Sequence, residues 1–496
     1  MLISPWVNVS FYQQNMSWKY AYHILDDDAL LNIFYLYRPD LTDEEEYSEN
    51  TVRVLQGGRW SREGWWHRLA QVFRRWRYLI LASPSYLGLR LVCTYGTPIA
   101  KMLAHSPPLP LIIDYINEHR RITAKDANGI LLALNHRDRV HRIRLLAPVR
   151  RLKALVTSME GHFPQLEFLY IAPLSKHRTS LILPRTFRAS HLRHLVLINF
   201  AFPMQSPFPT TTTSLVALSL QMIHPSAYFP PSDLLPQLSL MPQLETLGIG
   251  FNSPLPNHDV ERQLLDNPSM MYVTLPNLRW FGFEGVSAYC GALLSRISTP
   301  LLERLQIILR DQLTTTIAVS QLLQFMGKTR RLRFRGLKFN FGFREFIVTA
   351  YPDGASDVCS FYMFVTCTHL DRQVATTAQI FNVLGPVFSE VECLTLKYRT
   401  ATRSSQGNVM VDGARWRELL QPFSHVKTLV VPDGLVRELS HSLLLDDGEL
   451  PLDLLPELTE LVYSARGHAE YPFSPFINAR QIAGLPVRLV DGDLLP

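Results

Sequence analysis

The 496-residue sequence predicts an α/β fold: a solenoid of parallel strands walled by outer helices, preceded by a small helical module. Three observations predict it. A short leucine-patterned phrase returns ten times after residue 160, helical stretches fall between several of its copies, and two strongly apolar helical segments stand within the first 85 residues. Residues 1–22 read as an N-terminal extension, 23–90 as the helical module with an inserted loop at 38–64, 91–130 as a junction, and 131–496 as the solenoid.

Composition bounds the function. Apolar content of 47%, with aromatics at 11% and charges at only 19%, describes a folded chain rather than a solvated tail. A net charge of +6 spread over this length gives a weak field, a poor footing for nucleic-acid or membrane-surface binding. Five scattered cysteines (Cys93, Cys290, Cys359, Cys367, Cys393) show no CxxC pair and form an odd number. They read as small core residues in a reducing compartment, cytoplasm or nucleus, and not as a disulfide framework or zinc site. No apolar run reaches the roughly 18 residues that a bilayer span requires. The opening "MLISPWVNVSFYQQNMSWKYAY" lacks a charged segment ahead of a continuous apolar one, so it is not read as a secretory signal.

In "HILDDDALLNIFYLYRPD" Asp26 or Asp27 can accept the first free backbone N–H groups, Leu25 can staple onto the first turn, and Pro39 ends the run. Between Ala29 and Tyr37 only Asn32 is polar, so the helix is apolar nearly all round and must be covered on more than one side. Further on, Trp65, Trp66, Leu69, Val72, Phe73, Trp76, Leu79 and Ile80 recur at steps of three and four, the stripe of one amphipathic helix, with Arg68, Arg74, Arg75 and Arg77 mainly off it. A module of about 60 residues buries only a modest fraction of its surface, too little to enclose both segments. Either they form an ordinary core or they offer a groove to a partner.

The strings "LDDDALLNIF" (Leu25 to Phe34) and "WHRLAQVFRRWRYLILASP" (Trp66 to Pro84) resemble an F-box, and in particular the F-box-like proteins abundant in basidiomycete fungi. Asp26 stands where the family usually has proline and Phe73 where it often has cysteine; the insert from Arg38 to Gly64, with acidic "TDEEEYSEN", is a larger departure. The resemblance implies a three-helix module that docks on the Skp-type adaptor of a cullin-RING ubiquitin ligase. Carried over by position, the adaptor-facing residues are Leu25, Leu30, Leu31, Ile33, Phe34, Leu69, Val72 and Trp76, some of which must serve the module's own core.

Beyond "AHSPPLPLIIDY" (Ala104 to Tyr115) the recurring phrase takes over: "PQLEFLYI" from Pro164, "SHLRHLVL" from Ser190, "TSLVALSL" from Thr213, "PQLETLGI" from Pro242, "PNLRWFGF" from Pro276 and "PLLERLQI" from Pro300. Weaker echoes begin at Arg330 ("RRLRFRGL"), Glu390 ("EVECLTLKY"), Ser424 ("SHVKTLVV") and Pro456 ("PELTELVY"). Self-similarity at roughly 23 to 35 residues marks a solenoid. In each Leu-x-x-Leu-x-Leu the last two apolar residues alternate as the inward face of a strand does. Helices are expected in "AYCGALLSRI", "AVSQLLQFMG", "TTAQIFNVLG" and "ARWRELLQPF". This resembles the leucine-rich-repeat family, which implies an irregular horseshoe, since unit lengths drift and the customary asparagine is kept at Asn252 but replaced at Leu174, Phe200, Ile223 and Val286.

Residues beside the buried leucines then face the concave surface: Phe168, Tyr170, His194, Thr246, Trp280, Arg304 and Gln306. Exposed aromatics and arginines there are the usual anchors of a protein contact, which makes Phe168, Tyr170, His194, Trp280 and Arg304 the target-binding candidates. Loops or the N-terminal module covering them is the competing reading. In "NHRDRVHRIRLLAP" Ile143 and Leu145 alternate with Arg142 and Arg144, a first repeat strand with a basic outer face.

No linear catalytic signature stands out. "HRD" at His136 to Asp138 matches part of a kinase loop, but Ile143 occupies the place of its metal-binding asparagine, and no Gly-rich loop or DFG accompanies it. A G-x-S-x-G elbow, a Walker loop and H-E-x-x-H are missing, and "DDGELPLD" (Asp446 to Asp453) lacks calcium-ligand spacing. The runs "RRWR", "VRRLK" and "TRRLRFR" read as solvated faces. No catalytic residue, metal or cofactor is expected.

The expected function is therefore non-catalytic: an F-box-like substrate receptor of a cullin-RING (SCF-type) ubiquitin ligase, binding a Skp-type adaptor through N-terminal helices and an unknown target protein through the repeats, and monomeric outside that complex. Two rivals remain, a repeat scaffold whose N-terminal helices only cap it and a nucleic-acid-associated protein using the arginine runs. Exposure of Leu30, Leu31, Phe34 and Trp76 separates the receptor from the capped scaffold.

Overall fold

The computed structural model describes residues 25–38, 65–117, 119–174, 181–201, 214–252, 271–310, 316–329, 331–353, 358–398, 411–431, 435–443, 454–463 and 472–491. The chain divides into two units, Met1–Arg142 and Ile143–Pro496. The described part of the first opens with four helices, α1 (Asp27–Tyr37), α2 (Trp65–Val72), α3 (Arg74–Ala82) and α4 (Pro84–Leu87). Asp26 caps α1, its carboxylate accepting the Ala29 N–H at 2.6 Å, as the run of acids ahead of the apolar stretch predicts. The tryptophan stripe is not one helix. Phe73 adopts extended backbone (φ −140°, ψ 151°) between α2 and α3, and the Arg77 guanidinium donates to the Ala70 carbonyl at 2.9 Å, satisfying one of the acceptors that the break frees. Gly88, at φ 60°, closes α4 as its left-handed cap.

The stretch read as a junction is itself regular. β1 (Leu91–Cys93), α5 (Ile99–His105), β2 (Leu111–Tyr115) and α6 (Ala124–Asn135) follow in order, with β1 and β2 parallel in the register Leu91 to Leu111 and Cys93 to Ile113. A capping box starts α6: Thr123 accepts the Asp126 N–H at 3.1 Å while Asp126 accepts the Thr123 N–H at 2.9 Å. β3 (Val140–Ala147) runs through the division between the units. Arg142 and Arg144 are buried and engaged with partners, so the basic outer face expected on this strand is not solvated.

In the second unit a large, mainly parallel sheet alternates with helices. Between β3 and β13 come α7 (Val149–Thr157), β4 (Phe168–Pro173), β5 (Leu181–Ile182), β6 (His194–Ile198), β7 (Phe200–Ala201), β8 (Ala217–Ile223), α8 (Pro231–Ser239), β9 (Thr246–Phe251), β10 (Val273–Thr274), β11 (Trp280–Gly285), α9 (Ser287–Leu294) and β12 (Ile297–Ser298). β13 (Arg304–Leu309), α10 (Thr316–Gly327), β14 (Gly336–Phe341), β15 (Glu345–Tyr351), β16 (Phe361–Thr366) and α11 (Leu370–Leu384) form the middle. β17 (Cys393–Tyr398), α12 (Gly413–Leu420), β18 (Thr428–Val431), α13 (Val436–Ser442), β19 (Glu460–Tyr463), α14 (Ser474–Ile482) and β20 (Arg488–Asp491) end it. From β4 the strands pair in the order β4, β6, β8, β9, β11, β13, β16, β15, β14, β17, β18, β19, β20.

The repeat phrase explains this sheet. The triplets Leu166/Leu169/Ile171, Leu192/Leu195/Leu197, Leu244/Leu247/Ile249, Leu278/Phe281/Phe283, Val426/Leu429/Val431 and their fellows are buried throughout. Each first residue sits in the turn before its strand and the next two point inward from it, so every unit adds three apolar side chains to one continuous core. This mixed α/β array of parallel strands is a leucine-rich-repeat-like arrangement. One frame differs from expectation: β14 aligns Leu337 with Leu394 of β17, so the triplet near Arg330 is Phe334/Leu337/Phe339. The sheet is also not wholly parallel, because β15 runs antiparallel between β14 and β16.

Two buried polar anchors hold the array. Gln373, fully enclosed, donates through Nε2 to the carbonyls of Gly342 (2.9 Å) and Cys367 (2.8 Å), tying α11 to the ends of β14 and β16. Arg480 does the same for the last turn, donating to the carbonyls of Leu455, Pro456 and Leu458 at 3.0 to 3.2 Å.

Candidate interaction surfaces

In the first unit, α1 is held by its neighbours at three points. Leu30 and Phe34 turn inward with Leu79 and Ile80, Phe34 meeting the edge of Trp76 at a centroid distance of 5.2 Å. Arg75 of α3 grips the start of α1, its Nε and Nη2 both donating to Asp27 Oδ1 (3.0 and 2.6 Å) and Nη2 also reaching the Leu25 carbonyl at 2.9 Å. From α4 the Tyr86 hydroxyl donates to Asn32 Oδ1 at 2.7 Å, with the Tyr35 and Tyr86 rings 5.5 Å apart. The Trp66 indole N–H donates to the Arg90 carbonyl at 3.1 Å.

What those grips leave outside is an apolar ridge. Ile33, Leu36 and Tyr37, at i, i+3 and i+4 of α1, are exposed, Leu36 at 81%, and so are Leu25, Val72, Phe73, Tyr78 and Tyr86. Of the adaptor-facing residues read from the sequence, Leu25, Ile33 and Val72 lie on this surface, Leu31, Leu69 and Trp76 are half-buried, and Leu30 and Phe34 belong to the core. The last two are corrections: at 5% and 1% exposure they cannot meet a partner while the helices stay folded. Leu36 and Tyr37 were the residues missed. The signal for them is that α1 is apolar all round, so whichever stripe packs inward, another is left out. The 38–64 insert lies outside the described residues beyond Arg38.

In the second unit, side chains alternate on β6, β13, β15 and β16. The face opposite the leucines carries His194, Val196 and Ile198 on β6, Ser219 on β8, Thr246 on β9, Trp280 and Glu284 on β11, and Arg304, Gln306 and Ile308 on β13, all partly accessible. On β4 this face is closed: Phe168 (3% exposed) and Tyr170 (1%) are enclosed, Phe168 against the His194 ring at 5.8 Å. The two aromatics expected to anchor a target are therefore packed away, while His194, Trp280 and Arg304 keep an accessible edge.

Trp280 owes its pose to glycine. Its in-register neighbours are Thr246 and Arg304, and its indole lies flat across Gly282 and Gly248, where a Cβ at Gly282 would overlap the ring and one at Gly248 would stand 3.2 Å from it. The result is an aromatic plate on the open face, bounded by Glu284, which accepts Arg310 Nε at 2.6 Å. Gly282→Val should lift the plate and cost about 1–3 kcal/mol of stability through forced repacking; a loss of the native Trp280 fluorescence environment, read against the other seven tryptophans with a Trp280→Phe control, checks it.

Burial pushes the Cys93 thiol up to about 12 and raises Cys367 and Cys393, so none of the three is a thiolate near neutral pH. Among the described residues no helix is long and apolar enough to cross a membrane, and no group of His, Cys, Asp and Glu could hold a metal ion.

No protein-family model matches the sequence, and no curated protein matches it. A solved structure, the leucine-rich repeat-containing protein LegL7 from Legionella pneumophila, aligns with 80% of this chain and 98% of its own at 13% identity and a TM-score of 0.26. At that level the likeness adds nothing to the strand register, which carries the repeat reading by itself.

Proposed function

We propose that this protein is a non-catalytic receptor that docks on a Skp-type adaptor of a cullin-RING ubiquitin ligase through α1 to α3 and takes a target protein on the open strand face. The observation that carries the proposal is the exposed stripe of Ile33, Leu36 and Tyr37 on α1, with Leu25 and Val72 exposed as well, on helices whose sequence resembles an F-box. Covering one side chain of this size is worth roughly 1.5–3 kcal/mol, so a partner groove taking three of them has a strong apolar drive. The receptor's contribution to ubiquitin transfer is proximity, the chemistry belonging to the assembled ligase.

A capped repeat scaffold without an adaptor is the second reading, and the burial of Leu30 and Phe34, two of the four residues whose exposure separates the readings, favours it, while Leu31 and Trp76 are half-buried. Ile33 and Leu36 separate the two. Both face solvent and neither belongs to the buried core, so the Ile33→Asp, Leu36→Asp double variant is expected to fold, keep its repeats and lose co-purification of the adaptor. Retained co-purification by the folded variant would sink the receptor reading and leave the scaffold.

A further inference from the structure

A second surface, independent of the adaptor reading, lies where sheet order and chain order part. α10 leads from β13 to β14, which stands three strands away, and α11 leads from β16 to β17, passing over β15 and β14. α10, α11 and α12 pack successively against one another. Where α11 meets the end of β16 there is a cleft of about 270 Å³, lined by Val365 and Thr366 of the strand, by Cys367 just beyond it, and by Arg372, Ala375, Thr376 and Gln379 from α11. The volume falls just under the roughly 300–1,000 Å³ of small-molecule sites, which suits a single polar group rather than a drug-sized ligand.

The lining has one sign of charge. Arg372, Thr376 and Gln379, at i, i+4 and i+7, form a polar stripe on a helix whose opposite side (Val374, Ala378, Phe381) is core. No carboxylate lines the cleft among the described residues: Asp371 is not part of it, and Glu345, across the ladder from Thr366, turns its carboxylate over Gly342. Among those residues Arg372 makes no ion pair, and the Cys367 thiol beside it donates to the Thr368 carbonyl at 3.7 Å. The walls are fixed, since Gln373 clamps the Cys367 and Gly342 carbonyls and the Cys367 N–H donates to the Arg344 carbonyl at 2.8 Å. The exposed Arg372 guanidinium beside these walls, with hydroxyl and amide groups around it, can receive a small oxyanion.

The geometry points to this cleft as a binding site for a phosphate group, held by Arg372 with the Thr366 and Thr376 hydroxyls and the Gln379 amide. The test is calorimetric titration of the full chain with inorganic phosphate and, separately, with O-phosphoserine, repeated on Arg372→Gln and Thr376→Val. Saturable binding by the parent that weakens roughly tenfold or more in Arg372→Gln, and measurably in Thr376→Val, is expected. Tighter binding of O-phosphoserine than of inorganic phosphate assigns the group to a phosphorylated side chain; equal binding assigns it to a free anion. No saturable binding by the parent at millimolar ligand, or binding that both variants leave unchanged, overturns the site. Circular dichroism confirms folding, and should Arg372→Gln misfold, Thr376→Val and Gln379→Leu carry the same comparison.

Discussion

Phe34→Ala lowers the stability of the N-terminal helices by about 3–5 kcal/mol, whereas Leu36→Ala, two residues along the same helix, changes it by no more than about 0.5 kcal/mol. Phe34 is 1% exposed and packs edge-on to Trp76, so truncation empties a cavity among Leu30, Leu79 and Ile80. Leu36 touches solvent and has no cavity to leave. Because the chain forms two units, a whole-molecule melting curve does not isolate the effect. Amide hydrogen exchange over Asp27–Tyr37 does: it accelerates steeply in Phe34→Ala and stays at the parent rate in Leu36→Ala. Equal acceleration in both would mean that the inward and outward faces of α1 are wrongly assigned.

Arg480→Met is the second large loss. The guanidinium is buried, lies 5.7 Å from the Phe476 ring centre and supplies donors to the carbonyls of Leu455, Pro456 and Leu458, where the backbone turns through Leu455 at φ 51°. Methionine keeps the length and the apolar packing but takes this donor from the Pro456 and Leu458 carbonyls, each worth about 1–3 kcal/mol, while the Leu455 carbonyl keeps the Leu458 N–H at 3.1 Å. A net loss of at least about 2 kcal/mol is expected, localised by faster exchange in β19 and β20. Arg480→Lys should recover only part, since an ammonium cannot span the same fork of carbonyls. Parent-like exchange in the methionine variant would show that the arginine fills space and nothing more.

Much of this was legible in the sequence because it rests on period. The triplet Leu-x-x-Leu-x-Leu dictates strand direction, inward face and register at once, and the structure keeps it from Leu166 to Tyr463 in every copy but the one near Arg330, whose frame moves to Phe334. Periodicity was silent where backbone, not side chains, decides. Phe73 fits the helical stripe by spacing, yet it is the residue at which the helix breaks, and nothing in Trp65–Ile80 resembles a stop signal. The β14–β15 hairpin was missed because "LKFNFGFREFIVTAY" alternates like any strand pair while the repeat phrase around it was framed on Leu332 instead of Phe334. Surface roles were the least legible. Phe168 sits at the same repeat position as His194 and Trp280, and Tyr170 at that of Val196 and Ser219, and only their burial on β4 distinguishes them. On α1 the helix is apolar all round, so pattern alone could not say which of Leu30, Ile33, Phe34 and Leu36 face outward; the grips of Arg75 and Tyr86 decide it.

The most direct measurement of the central claim is titration of a purified Skp-type adaptor into the full chain, followed over several temperatures. Saturable binding with a negative heat-capacity change, the mark of apolar burial, is predicted for the parent and for Trp280→Phe, and its loss is predicted for Ile33→Asp with Leu36→Asp. No binding by the folded parent, or equal affinity in the ridge variant, would contradict it.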